Sequence, residues 1–360
     1  MNELWYQHME NQGAVWHEDR QSIANFGIPE IERHIMKHGA VMSSLAHTGL
    51  IRFSGEHAKT FLQGQLTQDI NLVSETQAQL AGYCDPQGNV LGLGVLFLFH
   101  GAYYWQVPRN SVLPLLKRLK MFIMRSKVDC EDFSDLLPRF GYAGIHAAQD
   151  IVVLLNEKLD ETAYGQHYLQ AEEFTDIAMI RLPTAHPCAL FVGPFPAIGI
   201  LWDRLETNGT KVGTDDWNLM DLAYGLPQVT AELQGKFNAH QLNLDRIGAV
   251  SFKKGCYPGQ EVIARTHYRG KPTKRLMRFH TPAAIQPVIG EELTVHYGED
   301  RTQTLTIIAT GPDLNQGSLI LAIASIKGVD DADGQFQLNS GEPLVMEPMG
   351  YRLVDLSNLT

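Results

Sequence analysis

The chain has 360 residues, 44% of them hydrophobic and 19% charged, with a formal net charge of −11. This is the composition of an ordinary soluble globular protein, long enough for two or three domains. The acidic balance argues against a surface built as a whole to hold nucleic acid. Met1 to Gln12 shows neither the basic nor the apolar region of a signal peptide. The longest apolar run, Val90 to Phe99, is too short to span a bilayer. A cytoplasmic protein with no membrane contact is expected.

Residues 1–40 are rich in Glu, His and Gln and read as a lead-in, partly helical from Ile28 to Arg33. Leu50 to Gly55 reads as a strand ending in a turn. A helix follows over Glu56 to Gln63, with Ala58, Phe61 and Leu62 at helical spacing. Leu80 to Cys84, the turn Asp85-Pro86-Gln87-Gly88-Asn89, and Val90 to Phe99 together read as a β-hairpin. Tyr103 to Val107 is the next strand. Ser111 to Phe122 is a helix expected to face that sheet with Leu113, Leu116, Leu119 and Phe122. Lys127 to Cys130 returns as a strand. Strand-helix-strand-strand-helix-strand is the order of a ferredoxin-like α+β unit. A second α+β unit is expected from Gly141 to Gly225, with strands at Phe140–Ile145 and Ile177–Arg181 and a helix at Trp217–Tyr224. Past residue 275, Leu293–Tyr297, Leu305–Thr310 and Ser318–Ile326 are short strands between Gly, Pro and Asp turns. They read as a small all-β domain or barrel.

The four cysteines, Cys84, Cys130, Cys188 and Cys256, form no CxxC pair. The spacing argues against a zinc site and against an iron–sulfur cluster ligated wholly by this chain. The histidines are read as lacking ligand spacing beside carboxylates, so no metal site is expected. Free thiols in a reducing compartment fit best. Cys84, Cys130 and Cys188 have no flanking cations and read as packing residues. Cys256 follows Lys253 and Lys254 and precedes Pro258-Gly259. Cations and free backbone N–H groups would favour its thiolate, although a lone cysteine is more often a small buried hydrophobe.

From Lys253 to Arg278 the chain carries Lys253, Lys254, Arg265, Arg269, Lys271, Lys274, Arg275 and Arg278 against Glu261 alone, a balance of +7. The remainder, with 21 basic and 39 acidic residues, stands at −18. Such a run suits an anionic partner or, equally, a solvated face. Two local structures compete after Cys256. One is a helix with Pro258 at its first position, ending at Gly270, with Val262, Ile263 and Thr266 inward and Glu261 paired to Arg265. The other is a type II turn at Tyr257-Pro258-Gly259-Gln260. The helix is preferred, and it would set Cys256 just before a helix N-terminus.

These residues also resemble a known family. KGCYPGQE (Lys254 to Glu261), followed by Val262-Ile263-Ala264-Arg265 and Tyr268-Arg269-Gly270-Lys271, is similar to the signature of the YgfZ family. That family comprises folate-binding proteins related to the glycine-cleavage T-protein, an aminomethyltransferase. Phe61 to Ile70 (FLQGQLTQDI), Tyr83 to Gly88 (YCDPQG) and Leu242 to Lys253 (LNLDRIGAVSFK) resemble three further stretches of it. The likeness runs from residue 41 to residue 348.

The resemblance implies an α+β fold of two interleaved ferredoxin-like subdomains plus a C-terminal β-barrel, arranged around a central channel. The implied domains are a lead-in over 1–40, a folate-binding T-protein-like module over 41–274 (subdomains 41–140 and 141–274) and a barrel over 275–360. The implied cofactor is tetrahydrofolate or a one-carbon derivative. The implied role is that of an accessory protein in assembly or repair of iron–sulfur enzymes, including those that modify tRNA. Cys256 carries over as the functional, catalytic thiol. Lys254, Gly255, Tyr257, Gly259, Gln260, Glu261 and Arg265 carry over as cofactor-binding residues around it, with Gln65 and Thr67 from the second stretch. Folate and iron–sulfur client enzymes are the implied partners.

The sequence also departs from these patterns. Leu91 and Gly92 stand where the T-protein has an acidic pair, and Ala223 where it has a pterin-binding glutamate. Ala239-His240 stands where the YgfZ pattern has Pro-Gln. Aminomethyl transfer needs a carboxylate to move protons, so that chemistry is disfavoured. Two alternatives stay open. One is a folate-dependent one-carbon transferase using Asp69 or Asp85 as base. The other is an RNA-binding protein using residues 253–278.

Overall fold

The computed structural model describes residues 3–353. The first two residues of the expected lead-in and the last seven of the expected barrel domain lie outside the described residues. The chain folds into two compact units. The first comprises residues 1–63, 70–80 and 94–218, and the second residues 64–69, 81–93 and 219–360.

The first unit holds two antiparallel-rich sheets. One has the order Gln79–Cys84, Val90–Phe99, Ala102–Pro108, Thr48–Ser54, Asp129–Asp132. Helices Ala58–Gln65 and Val112–Ile123 connect its strands. This is the ferredoxin-like order with Gln79–Cys84 added at one edge. The other sheet is six-stranded: Gln166–Tyr168, Ala178–Arg181, Cys188–Val192, Arg139–Gly144, Ala40–Ser44, Gly209–Lys211. Ala40–Ser44 precedes the whole first sheet in sequence yet pairs antiparallel with Arg139–Gly144 and parallel with Gly209–Lys211. That pairing interleaves the two subdomains as expected.

Several elements differ from the sequence expectation. The helix Val112–Ile123 buries Val112, Leu115, Leu116 and Leu119, while Leu113 and Phe122 are exposed. A helix turns about 100° per residue, so a series stepping by three drifts off its face by about 60° each step. A stripe mixing steps of three and four stays inside. The N-terminal residues form more than a lead-in. Helix Glu3–Asn11 places Trp5 and Met9 in the core of the second sheet. The Trp5 ring meets Trp202 edge-on at 5.5 Å, and its Nε1 donates to Ser44 Oγ. His34 and His38 do have the i, i+4 spacing of metal ligands, close to Glu32, but helix Pro29–Ile35 ends before His38. Their rings meet at 5.5 Å, and among the described residues no group of three ligand side chains forms.

The second unit begins from the hairpin. Residues 81–93, the turn with the adjoining ends of strands Gln79–Cys84 and Val90–Phe99, belong to it. Between Tyr224 and Gln260 the chain makes turns and one isolated bridge, Asn89 to Asn238, and no regular helix or strand. A stretch of that length without regular structure is uncommon inside a compact unit. Here it is ordered by backbone hydrogen bonds from Val90 N–H to Phe237 O, from Gly235 N–H to Val90 O and from Ala239 N–H to Gly88 O. Helix Gln260–Arg269 follows.

The closed barrel then runs Lys274–Thr281, Ser318–Ser325, Arg301–Pro312, Glu292–Tyr297, Gln335–Gln337, Pro343–Glu347, as expected from the short strands. Closure leaves no open strand edge. Phe279, Ile307, Ile320, Ala322 and Phe336 are among the side chains that fill it. Among the described residues no helix is long and apolar enough to cross a membrane.

Candidate functional site

Every signature residue lies in the second unit, and so do residues 64–69. Lys254 joins the two. Its side chain is buried, and Nζ donates to Leu66 O at 2.7 Å and to Gln68 O at 2.9 Å. Burial pushes the ammonium down to about 8, with Asp69 opposing that shift. Nζ also sits 5.3 Å from the centroid of the Tyr257 ring. Lys254 is therefore a fastener, and of the two lysines before Cys256 only Lys253 is exposed.

Thr67 fastens the same segment from the other side. Its hydroxyl donates to Ala249 O at 2.5 Å and accepts from Gly82 N–H at 2.9 Å. Its backbone bonds both Gly82 and Ser251. The isolated bridge from Leu66 to Tyr83 continues the alignment.

The stretch after Cys256 combines both local structures that competed in the sequence, with a corrected boundary. Gln260 N–H donates to Tyr257 O, and Gly259 has φ 82° and ψ −4°, the values of a type II turn. The helix starts at Gln260 with Gly259 as its N-cap and ends before Gly270. Pro258 therefore belongs to the turn, and Cys256 precedes the turn rather than the first helical residue. Of the three residues expected inward, Ile263 is buried, Thr266 is half-buried and Val262 is exposed. Glu261 and Arg265 pair at 2.7 Å, both exposed.

A backbone-to-backbone contact explains why two separated glycines are needed. A Cβ on Gly259 would sit 2.6 Å from Asp85 O and 2.8 Å from Gly88 Cα. Gly88 is itself at φ 81° and lies against Gly259 O and Ile263. The signature turn is thus seated on the hairpin turn. Gln260 Nε2 closes the loop back onto Lys254 O at 3.4 Å. Gly255, by contrast, has nothing within 4 Å of where a Cβ would be.

Cys256 is the one exposed cysteine of the four. Cys84, Cys130 and Cys188 are buried, in line with their reading as packing residues. Burial pushes the Cys130 thiol up to about 12 and Cys84 higher still. Those two are protonated at neutral pH, and an exposed thiol is the one that can be presented to a partner.

Two buried polar atoms beside these fasteners have no hydrogen-bond partner among the described residues: Gln65 Oε1 and the Tyr257 hydroxyl. Burial pushes the Tyr257 phenol well up, so it keeps its proton. Gln65 directly precedes Leu66, whose carbonyl holds Lys254, and Tyr257 lies under the same ammonium. Buried orphans of this kind are costly, and a ligand's donors and acceptors would satisfy them.

A buried charge network was not anticipated. Arg275 donates to both Asp245 oxygens, at 2.6 and 3.0 Å, and to His240 O. Burial would push the Asp245 carboxyl up, yet His240 and Arg275 hold it well below the usual range. Arg278 pairs with Glu347 at 3.1 Å. The Asp85 carboxylate, one candidate base of the transferase alternative, accepts from Asn89 N–H and from Asn89 Nδ2. Both of its oxygens serve the hairpin turn. Leu91 and Gly92 add no acid beside it.

No family model matches the sequence. The chain is 30% identical over 272 residues to the tRNA-modifying protein YgfZ of Hamiltonella defensa subsp. Acyrthosiphon pisum, covering 75% of this chain and 79% of that protein. It is 27% identical over 315 residues to the tRNA-modifying protein YgfZ of Escherichia coli O6:H1, covering 87% and 93% respectively. Among solved structures, the glycine cleavage system aminomethyltransferase T of Bartonella henselae superposes with a TM-score of 0.74 over 98% of this chain and 97% of that one. At 14% identity this likeness establishes the shared fold.

Two expectations follow from the geometry. Gly259→Ala combines a left-handed φ with a backbone clash and is expected to cost about 2–4 kcal/mol. Gly255→Ala is expected to cost less than about 0.5 kcal/mol. Urea unfolding of the two variants checks the contrast, and equal losses would contradict it. The second concerns pH. An unfolded lysine keeps its proton to about pH 10.4, whereas folded Lys254 releases it near 8. Between those values the unfolded chain binds more protons, so the Lys254 contribution to stability rises with pH and is lost as pH falls through 8. Unfolding midpoints across that window should rise less steeply, or fall more steeply, in Lys254→Met than in the unaltered chain.

Proposed function

The chain belongs to the YgfZ family, and from that premise we propose that it is an accessory factor of tRNA modification, working through the Cys256 thiol with tetrahydrofolate as its ligand. The observation that carries this reading is the presentation of Cys256. It is the exposed thiol of the four, on a loop fastened by Lys254 on one side and by the Gly259–Gly88 contact on the other. An exposed thiol on a fixed loop can be offered as a soft metal ligand or a nucleophile to a partner enzyme. In this reading the clients are iron–sulfur enzymes that modify tRNA.

The residues present fit a folate. A pterin offers both donors and acceptors, and Gln65 Oε1 and the Tyr257 hydroxyl are buried polar atoms in need of partners. These two side chains would hold it. Thr67 and Lys254 would act indirectly, since their polar atoms are already bonded to backbone. When bound, tetrahydrofolate supplies one-carbon or redox chemistry. The chain's own part is to orient the ligand and to present the thiol. Transfer to or from an amine is the weaker reading, because Asp85 is committed to its turn and Leu91 and Gly92 cannot move protons.

Cys256→Ser tests the thiol. Modified-nucleoside content of tRNA, read by mass spectrometry in cells carrying only the variant, is expected to fall by roughly tenfold or more. Stability should change by less than about 0.5 kcal/mol, since the side chain is exposed. Full modification in the variant removes the thiol from the mechanism. Calorimetric titration tests the ligand. Tetrahydrofolate should bind the unaltered protein, and Tyr257→Phe and Gln65→Leu should each weaken binding by roughly 2–12-fold, the worth of one hydrogen bond. No heat at about millimolar ligand would remove folate from the reading.

A further inference from the structure

The cations of residues 253–278 do not form one patch. Lys254 and Arg275 are buried and bonded, Arg265 is paired with Glu261, and Arg278 with Glu347. Lys253, Arg269, Lys271 and Lys274 are exposed and have no ion pair among the described residues. The one acid of the segment, Glu261, is neutralised by Arg265. Four exposed, unpaired cations therefore remain within one short stretch of a chain whose formal charge is −11.

An aromatic cluster brings the start of this segment against the last turn of helix Gln260–Arg269. The Phe252 ring stacks on His267 with centroids 3.8 Å apart and planes 17° apart. Tyr268 meets Phe252 at 6.0 Å and His267 at 4.8 Å, nearly perpendicular to both. Lys253 directly follows Phe252 and Arg269 directly follows Tyr268, so each cation is one residue from a ring of the cluster. Tyr268 is 67% exposed, a large aromatic surface given to water while its orientation is held by two neighbouring rings. Exposed aromatic rings among unpaired cations are how proteins hold single-stranded nucleic acid: phosphates meet the charges and bases stack on the rings. An acidic protein partner would want an apolar centre to the contact. On this helix Val262 is the exposed aliphatic side chain available for one.

We propose that Lys253, Arg269, Lys271, Lys274 and Tyr268 form a binding surface for single-stranded RNA on the segment that carries Cys256. The case for a nucleic-acid strand stands on this surface; the choice of RNA rests on the tRNA-linked reading above. The cations take backbone phosphates and Tyr268 stacks on one base.

Fluorescence anisotropy with the full-length protein and a labelled single-stranded RNA of about ten nucleotides tests it. Four neutralised phosphates give a slope of log affinity against log salt of about −3. Lys271→Ala should make that slope shallower by about 0.7. Tyr268→Ala should weaken binding about tenfold and leave the slope unchanged. Lys117→Ala, which removes an exposed cation of helix Val112–Ile123, should change neither. Absence of binding at low salt overturns the proposal. So does a loss in Lys117→Ala equal to that in Lys271→Ala, which would mean unspecific charge attraction. Equal affinity for polyglutamate, with no effect of Tyr268→Ala, would assign the surface to an acidic protein instead. Cys256→Ser should bind RNA as the unaltered chain does, so the thiol reading and the RNA surface can fail separately.

Discussion

An amine taken out of water must find acceptors there or give up its charge. Lys254 shows both responses. Its Nζ lies within hydrogen-bond distance of Leu66 O and Gln68 O, and burial has drawn its ammonium down to about 8. The signature loop and residues 64–69 are 188 residues apart in sequence at this contact. Thr67, between the two acceptors, carries the attachment on to Gly82 and Ala249. One buried amine and one hydroxyl thus fix two stretches of irregular chain, around Leu66–Gln68 and around Ala249–Lys254, to each other and to the strand Gln79–Cys84. The position of the exposed thiol depends on that anchoring.

The signature divides its work among neighbouring residues. Lys254 and Gly259 fasten, Glu261 and Arg265 neutralise each other in solvent, and Gly255 and Cys256 are left free of close packing. A loop whose ends are fixed and whose middle is exposed can hold a reactive side chain without burying it. Two acids near it are engaged elsewhere: Asp85 caps the hairpin turn and Asp245 is locked to Arg275. Asp69 stands close enough to Lys254 to act on its charge. A thiol and two orphaned polar atoms, Gln65 Oε1 and the Tyr257 hydroxyl, stand beside them.

Much of the fold was legible because its signals are local. Apolar runs on either side of the Asp85–Asn89 turn marked the hairpin, and short strands between Gly, Pro and Asp marked the barrel. The strand Ala40–Ser44 was missed. It is short, ends in two serines and has no hairpin turn joining it to its partner, a strand about a hundred residues on. Helix Glu3–Asn11 was missed because its core residues, Trp5 and Met9, stand among charged and polar ones. At the site, Cys256 stood out beside its lysines. The contact between Gly88 and Gly259 had no sequence signal beyond two glycines after turn-forming residues.

The sequence by itself determined where most strands and helices lie and which thiol differs from the others. It also showed that a basic stretch interrupts an acidic chain. Those properties belong to residues and their near neighbours. The tertiary structure alone decided which of the eight basic residues are free. Lys254 is consumed by two distant carbonyls, Arg275 by an aspartate 30 positions away and Arg278 by Glu347, while Lys253, Arg269, Lys271 and Lys274 face water. A charge in a sequence is only a formal charge. Whether it is solvated, paired or buried depends on what the fold brings within a few ångströms of it, and that is set by contacts far apart along the chain.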